Sequence, residues 1–212
     1  MTFWAKLVEV GPHFLPVLLA GFWISVQVAL GALTVALAGG LVLALLATSP
    51  LRLLRAPAWA YIELMRGTPA LTQLFIIYFG LADLGLGMNG SAYLSQVYRA
   101  GLEAVDRGQR EAALSLGMVP AIVLQDVVLP QAVRIMVPPF CNYAIQLLKD
   151  TSLVSAVAAP EIMFRARNLV METYLSMHVY LLVAAIYLAA SIPLAHLAAR
   201  LELRLGRGRQ AA

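Results

Sequence analysis

The sequence predicts an all-α membrane protein with about five transmembrane helices and one helical segment held outside the bilayer. Three observations carry that reading. Of 212 residues, 61% are hydrophobic and only 12% charged, against about a quarter charged in soluble domains. Mean hydropathy is +0.82. Apolar stretches long enough to cross the hydrocarbon, roughly 20 residues each, recur along the chain, and between them lies one polar, turn-broken stretch at 106–134.

The chain reads as a single domain, 1–212, with spans expected at about 15–47, 57–82, 91–105, 135–158 and 177–199. The first is longer than the bilayer is thick. It is expected to tilt, to extend beyond the membrane, or to break near Gly39-Gly40, and it ends at Ser49-Pro50. The second starts near Pro57 and is interrupted at Thr68-Pro69, because the residue before a proline avoids the helical region. Residues 83–91 (DLGLGMNGS) read as a Gly-rich loop. The third span is weaker and polar, with Arg99 and Glu103 at i and i+4. Glu161, Arg165, Arg167 and Glu172 read as a loop before the last span.

Charge sets the orientation. With the N-terminus outside, segments 49–56, 105–134 and the tail hold nine Lys/Arg, while the outer segments hold three. That asymmetry follows the positive-inside rule, so 106–134 and the C-terminus are expected in the cytoplasm. The net charge of +4 is explained by these arginines, and no nucleic acid is expected. No basic region and cleavage site mark a removable signal peptide. Cys141 is the single cysteine, so the chain makes no internal disulfide.

In the polar stretch, Asp106 is an N-cap with Gln109 three residues on, and Arg110 to Leu116 are good helix formers. Gly117 stands where a left-handed C-terminal cap belongs, before Pro120. A helix of two to three turns follows, then a second over Ala121–Leu129 that ends at Pro130. Ala112, Ala113 and Gly117 are small enough for a partner's backbone to approach, and Leu114 and Met118 form an apolar ridge. Two readings fit: an amphipathic connector at the lipid surface, or a handle gripped by a partner.

Glu111-Ala112-Ala113, three residues, Gly117, nine residues, Val127, one residue and Leu129-Pro130 resemble the cytoplasmic signature of ABC importer permeases. The stretches 61–81 (YIELMRGTPALTQLFIIYFGL) and 142–157 (NYAIQLLKDTSLVSAV) are similar to permeases for polar amino acids of the histidine, glutamine and glutamate type. Asp106 stands where that family leads one to expect proline. The resemblance covers about residues 15–205. It implies a type I ABC importer permease fold in the bacterial inner membrane, with a coupling helix at about Arg107–Met118 and an ATPase-coupling element of Arg110, Glu111, Ala112, Ala113, Leu114, Gly117, Met118, Leu129 and Pro130. It also implies a cytoplasmic ABC ATPase dimer, a periplasmic amino-acid-binding protein and a second permease subunit, identical or sister, as partners in the lipid membrane. The chain has no phosphate-binding loop of the GxxxxGK[ST] kind. It is therefore expected to bind no cofactor, to be no enzyme, and to leave ATP and Mg to the partner ATPases.

Ionisable groups at membrane depth mark pathways or partners by default. Asn142, Gln146 and Lys149 recur at i, i+4 and i+7 on one helix face, with Asp150 beside them. The face suits a translocation path, a subunit seam, or interhelical hydrogen bonding. Arg66 and Thr68, at the break before Pro69, join them as substrate-path candidates, Arg66 and Lys149 being possible partners for a carboxylate. Glu63 with Arg66, and Arg99 with Glu103, are expected pairs. Ser25, Thr34 and Ser191 are expected to bond back to their own helix. The three histidines have no metal-ligand spacing. A stand-alone secondary transporter and a non-transporting membrane scaffold are the competing readings. The first usually needs more spans and an internal repeat, and the second leaves the polar face unused.

Overall fold

The computed structural model describes residues 2–77 and 82–206. Nine α-helices follow one another among them: α1 (Phe3–Ala47), α2 (Arg52–Gly67), α3 (Ala70–Ile77), α4 (Ala82–Glu103), α5 (Arg107–Ser115), α6 (Pro120–Ile122), α7 (Leu129–Asp150), α8 (Ile162–Thr173) and α9 (Ser176–Gly206). A π-helical segment, Val123–Val128, joins α6 to α7, and a 3-10 segment, Thr151–Val157, continues α7. By length and composition, Phe3–Ala47, Pro120–Val157 and Ser176–Leu205 are long and apolar enough to cross a membrane.

Helix α1 is the axis of the fold. Its 45 residues span roughly 68 Å at 1.5 Å each, about twice the hydrocarbon thickness, and it does not break at Gly39-Gly40. Its buried face is a ladder of small residues: Gly21, Ser25, Ala29, Ala32, Ala36, Gly40, Ala44 and Ala47. In lipid, helices gain little from the hydrophobic effect on meeting each other. Close approach of backbones over small residues supplies the packing instead.

Helix α4 takes up that ladder. A side-chain carbon on Gly87 would lie 2.7 Å from Val35 Cβ and 3.1 Å from the Ala32 carbonyl. One on Gly40 would lie 3.0 Å from Leu94 Cβ and 3.2 Å from the Ser91 carbonyl. Gly90 faces Ala36 in the same way. Numbers rise together on both helices, so α1 and α4 run parallel. The Ser91 hydroxyl donates to the Gly87 carbonyl at 2.7 Å, and the Tyr98 hydroxyl reaches the Leu37 carbonyl across the interface at 3.3 Å. The expected loop at 83–91 is therefore helical: Gly87 and Gly90 serve close helix contact rather than a turn.

Helix α7 runs antiparallel to α4. Tyr93 stacks on Tyr143 at 5.3 Å and Tyr98 meets Phe140 at 4.9 Å, while Gly101 abuts Met136. On the other side of α1, Phe3 stacks on His178 and Phe22 meets Tyr187 edge-on, so α9 runs parallel to α1.

Two further expectations change. The second helix of the polar stretch does not end at Pro130. The Leu129 amide bonds the Leu124 carbonyl, five residues back, and this wider turn carries the chain into Pro130 at the start of α7, where a proline lacks the donor and crowds the preceding turn. The stretch Glu161 to Glu172, expected as a loop, forms α8. Glu161 is its N-cap, accepting from the Phe164 amide at 2.9 Å.

Glu161 also ties α8 to α1. It is fully buried and accepts from the Ser25 hydroxyl at 3.2 Å, while the Ile162 amide reaches Ser25 Oγ at 3.4 Å. One turn earlier, a side-chain carbon on Gly21 would sit 2.9 Å from Ile162 Cα and 3.0 Å from its nitrogen. Ser25 bonds back to the Gly21 carbonyl at 3.4 Å as expected and also joins the two helices, and Thr34 bonds back to Leu30 at 2.8 Å as expected. The Ser191 hydroxyl is buried with no partner among the described residues. Desolvation pushes the Glu161 carboxyl above its usual range, opposed by the Met163 and Phe164 amides, the Ser25 hydroxyl and the Arg167 charge.

Gly21→Ala should destabilise the protein by about 1–3 kcal/mol through overpacking against backbone. Gly31→Ala, with no neighbour inside 4 Å, should not; thermal midpoints of the solubilised protein separate the two. Glu161→Ala should lose about 1 kcal/mol with the cap. Because the folded state favours protonated Glu161, its contribution is complete below the ordinary carboxylate pKa, about 4.3, and declines as pH rises through the raised folded value. The midpoint of Glu161→Gln should therefore gain on wild type as pH rises across that window. A constant gap would contradict the burial argument.

Candidate functional site

Helix α5 is closed at both ends by its own residues. Asp106 caps it by accepting from the Gly108 amide at 2.7 Å; no bond from Gln109 back to Asp106 accompanies it. The helix stops at Ser115 rather than Met118. Gly117 adopts φ +83°, its amide bonding the Leu114 carbonyl at 2.9 Å and the Met118 amide the Ala113 carbonyl at 3.2 Å. This double bond pattern closes a helix on a left-handed residue.

Two ties hold α5 to the rest of the molecule. The Arg110 guanidinium donates to the Leu102 carbonyl in the last turn of α4, where an orphan carbonyl and the helix dipole favour a cation. Ala113 is buried in an apolar cluster with Val105, Val123, Val128, Ala132 and Met136, and Met118 packs against it. Arg110, Ala113 and Met118 therefore face inward. Glu111, Ala112, Leu114 and Gly117 face outward, joined by Leu116, an 84% exposed leucine absent from the sequence-based set. Leu129 and Pro130 lie apart from this face, exposed at the start of α7.

The second candidate group lies on α7. Asn142, Gln146 and Lys149 are all exposed and share one face, with Asp150 half-buried beside them. The Gln146 amide donates to Asp150 Oδ1 at 2.8 Å. The helix tightens to 3-10 geometry directly afterwards, and the buried Thr151 hydroxyl donates to the Leu148 carbonyl at 2.7 Å. An apolar core does not claim this face. Arg66 is exposed in the last turn of α2. No hydrogen bond or ion pair joins Arg66 or Thr68 to the α7 face among the described residues. The Arg66 and Glu63 pair does not form either. Arg99 and Glu103 do approach, at 3.8 Å, and Arg99 lies over the Trp59 ring at 4.9 Å.

Sequence reasoning missed an amide clamp at the α2–α3 break. Pro69 has no amide hydrogen to give the Met65 carbonyl four residues earlier. The Gln73 side-chain amide supplies it at 2.8 Å and the Asn89 amide at 3.1 Å, while Asn89 also donates to Gln73 Oε1 at 3.0 Å. The same Gln73 nitrogen lies 2.7 Å from the Thr68 hydroxyl. Thr68 is thus part of the joint between α2, α3 and α4. A glutamine four residues after a helix-breaking proline was the available signal; its partner Asn89 was hidden in the supposed loop. Among the described residues, no three His, Cys, Asp or Glu side chains lie together as a metal site would require.

This arrangement can be set against known proteins. Residues 36–207 match the family of binding-protein-dependent transport system inner membrane components. The "Probable amino-acid ABC transporter permease protein y4tG" of Sinorhizobium fredii is 37% identical over 84% of this chain and 82% of its own. The arginine transport system permease protein ArtQ of Bacillus subtilis is 31% identical over 90% and 93%. The crystal structure of an amino acid ABC transporter with histidines superposes with a TM-score of 0.88 at 31% identity, covering 96% of this chain and 99% of that one. The fold is that of type I ABC importer permeases, and the secondary-transporter and scaffold readings fall away. The chain belongs to the family of binding-protein-dependent transport system inner membrane components, as an inner-membrane permease subunit and not an enzyme.

Proposed function

We propose that this subunit carries a polar amino acid across the inner membrane by alternating access, driven through α5 by a cytoplasmic pair of ATPases. The observation that supports this most directly is the division of α5 into two faces. Its inner face is tied to α4 through Arg110 and to the π segment and α7 through Ala113. Its outer face leaves Glu111, Ala112, Leu114 and Leu116 open to a partner. A push on that handle reaches both neighbouring spans together. ATP and Mg belong to the partner ATPases in this reading.

The α2–α3 pair and α4 complete five spans with the three long apolar helices. The N-terminus is then periplasmic, α5 and the C-terminus cytoplasmic, and α8 lies at the periplasmic face toward a substrate-binding protein. The exposed polar face of α7 meets a second permease subunit, identical or sister, and lines the path between them. Lys149 offers a cation and Asn142 an amide to the amino acid, with Arg66 a further cation on α2.

Gly117→Val should lower the amount of amino acid taken up per ATP hydrolysed in reconstituted vesicles, while the complex stays assembled. A β-branched residue at positive φ reshapes the helix stop, at about 1–2 kcal/mol, although no atom lies within 4 Å of the position. Gly117→Asn, which tolerates that conformation, should retain more coupling. Wild-type stoichiometry in the valine variant would refute the role. Lys149→Gln and Asn142→Ala should alter transport with assembly intact, measured by uptake beside size-exclusion profiles. Loss of the complex instead would make this face a structural seam alone.

A further inference from the structure

An apolar groove of about 580 Å³ runs between α1, α7 and α9. One end is bounded by Phe22, Leu148 and Ala190, the other by Leu33, Cys141 and Leu201. It is distinct from the polar α7 face: Cys141 and Leu148 point roughly a third of a turn away from Asn142, Gln146 and Lys149 at 3.6 residues per turn. All three walls are the long apolar helices, so the groove opens at membrane depth, where water does not fill it.

What occupies it is indicated by charge. Arg134 lies seven residues before Cys141 on α7, and Arg204 lies seven after the groove residue Leu197 on α9. A separation of seven returns to the same helix face, so each arginine continues a wall of the groove. The helices are antiparallel, α7 opposing α1 and α9 following it, which brings both arginines to the Leu33–Leu201 end. That end is also the one bearing α5. Both side chains are exposed, and neither has an ion pair among the described residues. Asp126 and Glu202, the nearest acidic residues in sequence, lie eight and two positions away.

We infer that this groove is a binding site for an anionic glycerophospholipid, one acyl chain lying between α1, α7 and α9 and the phosphate held by Arg134 and Arg204. Basic positions between spans on the cytoplasmic side suit such headgroups, and the apolar walls supply the chain's share of the affinity. Only the naming of the leaflet, the cytoplasmic one, rests on the orientation proposed above. A lipid wedged between α1 and α7 would brace α7, one of the two helices tied to α5, against the axis of the fold.

The intact importer, purified with its ATPase partners and exchanged against excess zwitterionic lipid, tests this by native mass spectrometry. Wild type should retain anionic phospholipid. The double variant Arg134→Gln/Arg204→Gln should retain on the order of 30-fold less, each arginine near a headgroup being worth roughly 1 kcal/mol, with zwitterionic lipid unchanged. Ala190→Phe, which fills the groove and leaves both arginines, should lose the lipid as well. Equal retention in wild type and the double variant, whose changes are on the surface, overturns the assignment. So does cross-linking of Cys141 to a second copy with no anionic lipid retained, since protein then fills the groove. Retention is read without transport, so an error in the proposed substrate or mechanism leaves this result interpretable.

Discussion

The rest of the molecule depends on how closely other helices approach α1. Its buried face offers hydrogens and methyl groups from Gly21 to Ala47, and α4 and α8 settle onto it at backbone distance. In a bilayer the solvent is as apolar as a leucine, so large side chains on that face would bring no compensating gain. Small ones allow dispersion contacts along the whole length and hydrogen bonds such as Tyr98 to Leu37 and Ser25 to Glu161. Widening this contact would shift α4, and with α4 the carbonyl to which Arg110 is tied.

From that axis the functional surfaces follow. Helix α5 hangs from the end of α4 by one cation and rests on the start of the next span by one buried alanine. The π turn beside it runs directly into Leu129-Pro130, where the proline has no amide hydrogen to give the preceding turn. Irregular geometry therefore sits where α5 meets α7. At the far end of α7, before the change to a 3-10 helix after Asp150, lies a polar face that nothing among the described residues covers. On its other side, the same helix walls the apolar groove. Three faces of one helix thus face three different surroundings.

Much of this was legible in the residues. The Asp106 cap, the stop at Gly117, the break before Pro69 and the shared face of Asn142, Gln146 and Lys149 are local consequences of side-chain and backbone chemistry. They emerged where expected because a cap or a proline acts within one or two turns. The misreadings share a different cause. The glycines of 83–91 resemble a loop until Ala32, Val35 and Ala36 stand opposite them. Pro130 looks like a helix end until the wider turn before it is known. Glu161 looks like a solvated loop residue until Ser25, distant in sequence, supplies its partner.

The sequence by itself determined that this chain lives in a membrane, where its polar helix begins and which glycine closes it, and which residues share the face of α7. Composition and short-range periodicity suffice for those, because transfer energy and helix capping are local quantities. Only the tertiary structure decided that Ala113, Met118 and Arg110 turn inward while Leu116 turns out, that Gln73 and Asn89 complete the backbone Pro69 leaves open, and that α1, α7 and α9 wall an apolar groove. Each of those depends on which helix lies opposite. In this fold that is governed by the side-chain volume α1 lacks rather than by any motif it carries.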